Sequence, residues 1–125
     1  MLGAELQAEY EKGNYVICGG DFNMDLLGNS AAVFGVSGEE YSWAKPFPEE
    51  SLPAGISLMA PFDAAAPVPS CRNADRAYVP GESFTLTVDG FLVSDNVTVE
   101  AANVADTGFA WSDHNPVWMD VTLGA

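Results

Sequence analysis

Apolar and polar positions recur with two different periods along this 125-residue chain, and the change of period predicts its elements. Leu2, Leu6 and Tyr10 are spaced every four residues, as on one face of a short helix, and Gly13 can adopt the left-handed conformation that ends helices. Tyr15 to Cys18 is a continuous apolar run with β-branched residues, which predicts a strand buried on both faces that stops at Gly19-Gly20. Regularity then fades between Asp25 and Arg76. Leu26 to Phe34 has room for a short helix or turn with Ser30 as its cap, and Ile56-Ser57-Leu58 reads as a short strand. Pro46, Pro48, Pro53, Pro61, Pro67 and Pro69 rule out long helices there. So long a stretch with little regular structure is expected to be a functional insertion or binding loop.

The last third is the most regular. Phe84, Leu86 and Val88 alternate with Thr85, Thr87 and Asp89, and Phe91-Leu92-Val93 carries the strand to a turn at Ser94-Asp95-Asn96. Val97 and Val99 alternate with Thr98 and Glu100, and Val117, Met119, Val121 and Leu123 share one face of a final strand. The expected fold class is α/β in the α+β sense, mainly one β-sheet with a flanking helix.

Charge changes this picture more than composition does. The apolar fraction of 48% is ordinary, and no apolar run approaches the ~20 residues that span a bilayer. The 18 acidic residues, however, face only Lys12, Lys45, Arg72 and Arg76, a net charge of −14. Such a surface repels polyanions and lacks the clustered cations that bind nucleic-acid backbones, so nucleic acid is a disfavoured partner. A divalent cation, by contrast, can use excess carboxylate. Cys18, in an apolar run, is expected to be a small buried hydrophobe, while Cys71 lies in a Pro/Ser-rich loop; the pair leaves the redox compartment open. Asn96-Val97-Thr98 matches a glycosylation acceptor in strand-like sequence, where a chance match is expected.

Three constellations could carry chemistry. Asp21 and Asn23, two residues apart just past a predicted strand, can share a face and hold a water or a phosphoryl oxygen, although Asx residues after a strand also make turns. His114, the only histidine, follows Ser112-Asp113 and can donate to a phosphoryl oxygen or move a proton near neutral pH, with Asp113 a hard oxygen ligand suited to Mg²⁺. Adjacent residues on a strand point apart, so Asp113 and His114 can act together only from a loop or bulge. Asp89 stands in a strand, where acids are disfavoured; it either fixes an imidazole or is exposed beside Gly90. Arg72 and Arg76 form the only basic spot, available to a substrate phosphate or to a structural salt bridge.

These segments together resemble the endonuclease/exonuclease/phosphatase superfamily. Cys18-Gly19-Gly20-Asp21-Phe22-Asn23 looks like its Gly-Asp-Phe-Asn box, Asp89-Gly90-Phe91-Leu92-Val93-Ser94 is similar to its Asp-x-x-x-x-Ser strand, and Ser112-Asp113-His114-Asn115-Pro116-Val117 resembles its closing motif. The resemblance covers nearly the whole chain, least well from Leu27 to Tyr78. It implies half of a four-layer α/β/β/α sandwich, with residues 1–125 as the carboxy-terminal part of one domain. By resemblance, Asp21 positions or activates the attacking water, Asn23 holds it, His114 contacts the scissile phosphate, Asp89 orients His114, and Asp113 is a metal ligand or lies behind one. The implied cofactor is Mg²⁺ or Mn²⁺ acting as Lewis acid. The implied substrate is a phosphoester, and the acidic surface favours phosphorylated small molecules or lipid-derived compounds. The family's Gln-Glu motif, which carries its principal metal ligand, has no counterpart here; Glu39-Glu40 and Glu49-Glu50 do not match it. The chain is therefore expected to be inactive alone, or to need a missing amino-terminal half or another chain to cover its sheet. The competing expectation is a non-catalytic binding or assembly domain that keeps the fold.

Overall fold

The computed structural model describes residues 2–36 and 43–124, so the pair Glu39-Glu40 lies outside the described residues. Helix α1 spans Leu2–Glu11, as the four-residue spacing predicts, and Gly13 follows it with φ +91°. None of its residues is buried. It is tied to the body by Gln7, which donates to the Ala54 carbonyl at 3.4 Å, and by Tyr10. The Tyr10 ring lies so near Gly55 that a Cβ there would sit 2.3 Å from it.

Strand β1 (Ile17–Asp21) begins two residues later than the apolar run and is not buried on both faces. Val16 is buried, but Tyr15 and Ile17 are 43% and 47% exposed. The reason is its place in the sheet. The order is β1-β5-β2, with β5 (Asp89–Ser94) in the centre and β2 (Ile56–Met59) on the far side, all antiparallel. An edge strand gains burial only from what covers its faces, and the described residues leave part of β1 uncovered.

The stretch from Asp25 to Arg76 is more ordered than its prolines suggest. It contains helix α2 (Ser30–Phe34), a 3-10 turn at Glu49–Ser51, β2, and the two-residue β3 (Cys71–Arg72). Ser30 is not the cap: Asn29 holds that position without a side-chain bond, and the organiser is the buried Asp25. Its carboxylate accepts from the backbone N–H of Leu27, Gly28 and Ser30 and from the Ser30 hydroxyl at 2.6 Å. One acidic side chain thus supplies the acceptors for a turn that periodicity cannot reveal.

The long strand expected from Phe84 to Ser94 is broken. Thr85–Leu86 forms β4 against β3, and β5 starts only at Asp89. At the break the chain changes partners: the Thr87 and Val88 carbonyls accept from Leu26 and Phe22, while the Ser70 hydroxyl accepts from the N–H groups of Val88 and Asp89. Leu86 and Val88 remain in the core, with Cys71 and Phe84. The final pair, β6 (Val97–Val104) and β7 (Val117–Leu123), forms a separate antiparallel ribbon with an irregularity between Val99 and Ala101. The fold is α+β, mostly antiparallel, with three separate sheets among the described residues in place of one main sheet. Both cysteines are free; Cys18, expected to be buried, is half-buried, and Cys71 is buried. Asn96 lies in the β5–β6 turn, where its amide donates to the Asn14 carbonyl at 3.1 Å. No helix among the described residues is long and apolar enough to cross a membrane.

Gly90 holds the centre of the three-stranded sheet close to its surroundings. A Cβ there would lie 2.7 Å from Leu26 Cδ1 and 2.9 Å from the Met59 carbonyl oxygen. The side-chain contact could give way, but the backbone contact could not. Gly90→Ala is therefore expected to lower unfolding stability by about 1–3 kcal/mol, seen as a lower urea midpoint at unchanged slope. A midpoint equal to that of the parent chain would contradict this packing.

Candidate active site

The site is assembled where the end of β1, the start of β5, β3 and the loop before β7 meet. Asp89 is the first residue of β5 and pairs in register with Asp21, the last of β1, so both carboxylates stand at one end of the sheet. The loop from 105 to 116 brings His114 to them. That loop is pinned from inside by the buried Asn115, whose side-chain oxygen accepts from the Thr107 N–H and hydroxyl and whose amide donates to the Pro69 carbonyl at 3.0 Å. Its backbone N–H donates to the Ser70 carbonyl at 2.7 Å, and the Arg72 N–H donates to the Asp113 carbonyl at 2.9 Å. Residues 69–72 therefore run beside the Asp113–Asn115 segment, and Cys71 bridges to His114.

This arrangement sets the imidazole. His114 Nδ1 lies 2.7 Å from Asp89 Oδ2; a carboxylate only accepts, so Nδ1 carries the proton and donates. Nε2 faces the other way, 3.8 Å from Asp21 Oδ2 and 3.7 Å from Cys71 Sγ. Burial acts to lower the His114 pKa, but the hydrogen bond and charge of Asp89, with the charges of Asp113 and Asp21, outweigh it and raise the value above the ordinary 6.5. Burial likewise pushes the Asp89 carboxyl up from 3.8, against hydrogen bonds from His114 and Ser70. The Cys71 thiol is pushed up to about 12, by burial first and then by Asp89, Asp113 and Asp21. It is a neutral wall of the site, not a nucleophile.

Asp21 and Asn23 both line the same cleft, of about 240 Å³, as His114, Cys71, Arg72 and Asp113. Asp21 Oδ1 accepts from the Asn23 N–H at 2.8 Å, an Asx turn, and Asn23 is held at φ +53°. The turn expected of Asx residues after a strand is thus present, and Asn23 lines the cleft beside it. Asp21, Asp89 and His114 offer donor atoms that all lie within 4.8 Å of one another. Asp113, expected as the metal ligand, lines the cleft but is not in that group, because its position on the loop places it at the rim. Arg72 faces the cleft, whereas Arg76 does not line it; Arg76 is exposed and pairs with Asp75 at 3.4 Å, the structural salt bridge. Sequence reasoning missed Ser70, Asn115 and Cys71. The only signal for them was adjacency to Arg72 and His114, since their roles depend on contacts between separate segments, up to 46 residues apart.

No protein-family model, curated protein or solved structure matches this chain. The geometry of the site thus stands on its own residues.

Because His114 is the only histidine, its imidazole gives a single reporter signal. In a metal-free NMR titration its midpoint is expected above 6.5 and should fall in Asp89→Asn. A histidine whose folded pKa is raised stabilises fully below its unfolded value, and that contribution is lost as pH rises through the folded midpoint. Asp89, with a raised folded value, adds a cost as pH climbs past 3.8. A midpoint at or below 6.5 would show that Asp89 does not hold the ring.

Proposed function

We propose that this chain carries the acid–base half of a metal-dependent phosphoester hydrolase of the endonuclease/exonuclease/phosphatase type, in a portion of that family's four-layer sandwich. The observation that carries the reading is the convergence of Asp21, Asn23 and His114 on one cleft, with Asp89 bonded to the far side of the His114 ring. Proton transfer and phosphoryl contact need a basic group, an oriented imidazole and an amide within reach of one reacting centre.

The roles follow from the donors. Asp21 Oδ2 accepts a proton from an attacking water, and Asn23 holds that water in line. His114, its Nδ1 fixed by Asp89, donates from Nε2 to a phosphoryl oxygen; its raised pKa keeps the donating form populated to higher pH. Three carboxylates flank this cleft against Arg72, so an anionic substrate meets a negative field unless a cation is present. Asp21 and Asp89 fit Mg²⁺ or Mn²⁺, which are bound through one or two carboxylates with the rest of the shell from water and substrate oxygens. Bound there, the ion supplies Lewis-acid stabilisation of charge on the phosphoryl group. The cleft is small and the chain carries net charge −14, which favours small phosphorylated or lipid-derived esters over nucleic acid.

A second reading, a binding or assembly domain, has one observation in its favour. Ile17, Trp118 and Leu123 stand 43–51% exposed on β1 and β7, apolar surface that suits a covering partner such as an amino-terminal half. The two readings separate on His114. With the hydrolase, Mn²⁺ broadens the His114 imidazole signal, Asp21→Asn weakens that effect about tenfold, and inorganic phosphate added with Mg²⁺ shifts it. Indifference of His114 to both ions leaves the binding domain. Turnover of a phosphodiester in Mg²⁺ by this chain alone is expected to stay at the buffer rate, because the Gln-Glu motif that the resemblance calls for has no counterpart in its sequence. Turnover abolished by His114→Ala would overturn that expectation.

A further inference from the structure

The cleft has a wall that the hydrolytic chemistry does not use. Trp43, from the segment least similar to any of the three motifs, lines it together with Asp21, Arg72 and His114. One side of the indole is braced by the buried Phe84, edge to face at 6.5 Å between centroids, yet the residue is 40% exposed. Phe84 belongs to the same core cluster as Cys71, so the ring is referenced to the strand that carries Arg72.

Arg72 is the second unusual feature. In a chain with 18 acids it makes no salt bridge among the described residues; the ion pairs are those of Lys12, Arg76 and His114. Its Nη1 donates to the carbonyls of Asn73 and Arg76, both at 3.2 Å, and its Nε is buried without a partner. Neutral carbonyls thus hold the guanidinium in place, with no carboxylate in ion-pair contact with it among the described residues. A guanidinium fixed in this way is suited to a phosphoryl group. An aromatic face beside it is suited to a flat π system, which stacks on indole whatever its pattern of polar atoms.

We infer that Trp43 and Arg72 form a specificity subsite for phosphoesters whose phosphate bears a planar aromatic group, Arg72 taking the phosphate and Trp43 stacking on the ring. The inference rests on the phosphoester reading and adds the class of leaving group. A cleft of about 240 Å³ accommodates a phosphoryl group with one ring, not a polymer segment.

Phenyl phosphate and methyl phosphate differ only in that ring, so the test compares their binding to the full chain by NMR at fixed Mg²⁺ and salt. Phenyl phosphate should bind about tenfold or more tightly than methyl phosphate. Trp43→Leu, which keeps apolar bulk but loses the π face, should erase the difference while leaving methyl phosphate binding unchanged. Trp43→Phe should retain most of it, and Arg72→Gln should weaken both ligands alike. Trp111→Ala is the control, since Trp111 is 87% exposed and outside the cleft lining. Equal affinities in the parent chain, or a preference that survives Trp43→Leu, overturn the subsite and leave the phosphoester reading intact. Failure of methyl phosphate to perturb Arg72 or His114 at all overturns both.

Discussion

The hydrogen bond from His114 Nδ1 to Asp89 Oδ2 is the interaction on which the site depends. A half-buried carboxylate at the start of a central strand is costly unless its lone pairs are taken up, and β-sheet offers it no backbone donor on the side-chain side. The imidazole and the Ser70 hydroxyl supply those bonds. The same contact fixes the tautomer and aims Nε2 at Asp21 and Cys71. Removing the carboxylate would thus free the ring to rotate as well as change its basicity.

That bond is possible only because two loops are held in register. Ser70 and Asn115 are both buried, and both use backbone and side chain together. Ser70 accepts from the N–H groups of Val88 and Asp89 through its hydroxyl and from Asn115 N–H through its carbonyl. Asn115 reaches Thr107 on one side and Pro69 on the other. The break in the expected Phe84–Ser94 strand falls where these bonds are made. An unbroken strand would keep its pairing with one partner throughout. The switch from β3 to β1 lets Cys71 and Arg72 sit beside the loop while Asp89 sits beside Asp21.

The regular parts of the fold were legible because they depend on near neighbours. Helix α1, β2, the β5–β6 turn and β7 were all visible as periodicity or turn chemistry, and the bounds of β7 agree with its alternation. Asp21, Asn23, Asp89 and His114 were legible as residue types that need a reason where they stand; the structure brings Asp21, Asn23 and His114 to one cleft and sets Asp89 on His114 Nδ1. Burial was not legible. Cys18 looked buried and is half-buried, because an apolar run records what a strand tolerates and not which face is covered. Asp25 was passed over for a similar reason: its work is done on the N–H groups of residues that have no pattern of their own. Arg76 and Arg72 share a segment and a charge, but only the carbonyl cage around Arg72 separates their roles.

The charge balance, read at first as a property of the surface, has its clearest consequence inside the cleft. Against burial, the hydrogen bond and charge of Asp89, with Asp113 and Asp21, raise the His114 pKa; burial first, and then the same three carboxylates, keep the Cys71 thiol in its neutral form 3.7 Å away. A cleft so arranged is unsuited to cysteine nucleophilic chemistry, for which the thiolate is required. It suits a reaction in which a cationic donor and a bound cation face a phosphate. Arg72, held by carbonyls, adds fixed positive charge on the same side. The acidity of the chain and the chemistry proposed for it are therefore compatible: at the cleft Asp89 holds the imidazole and neutral carbonyls hold Arg72, so positive groups stand where an anion would bind.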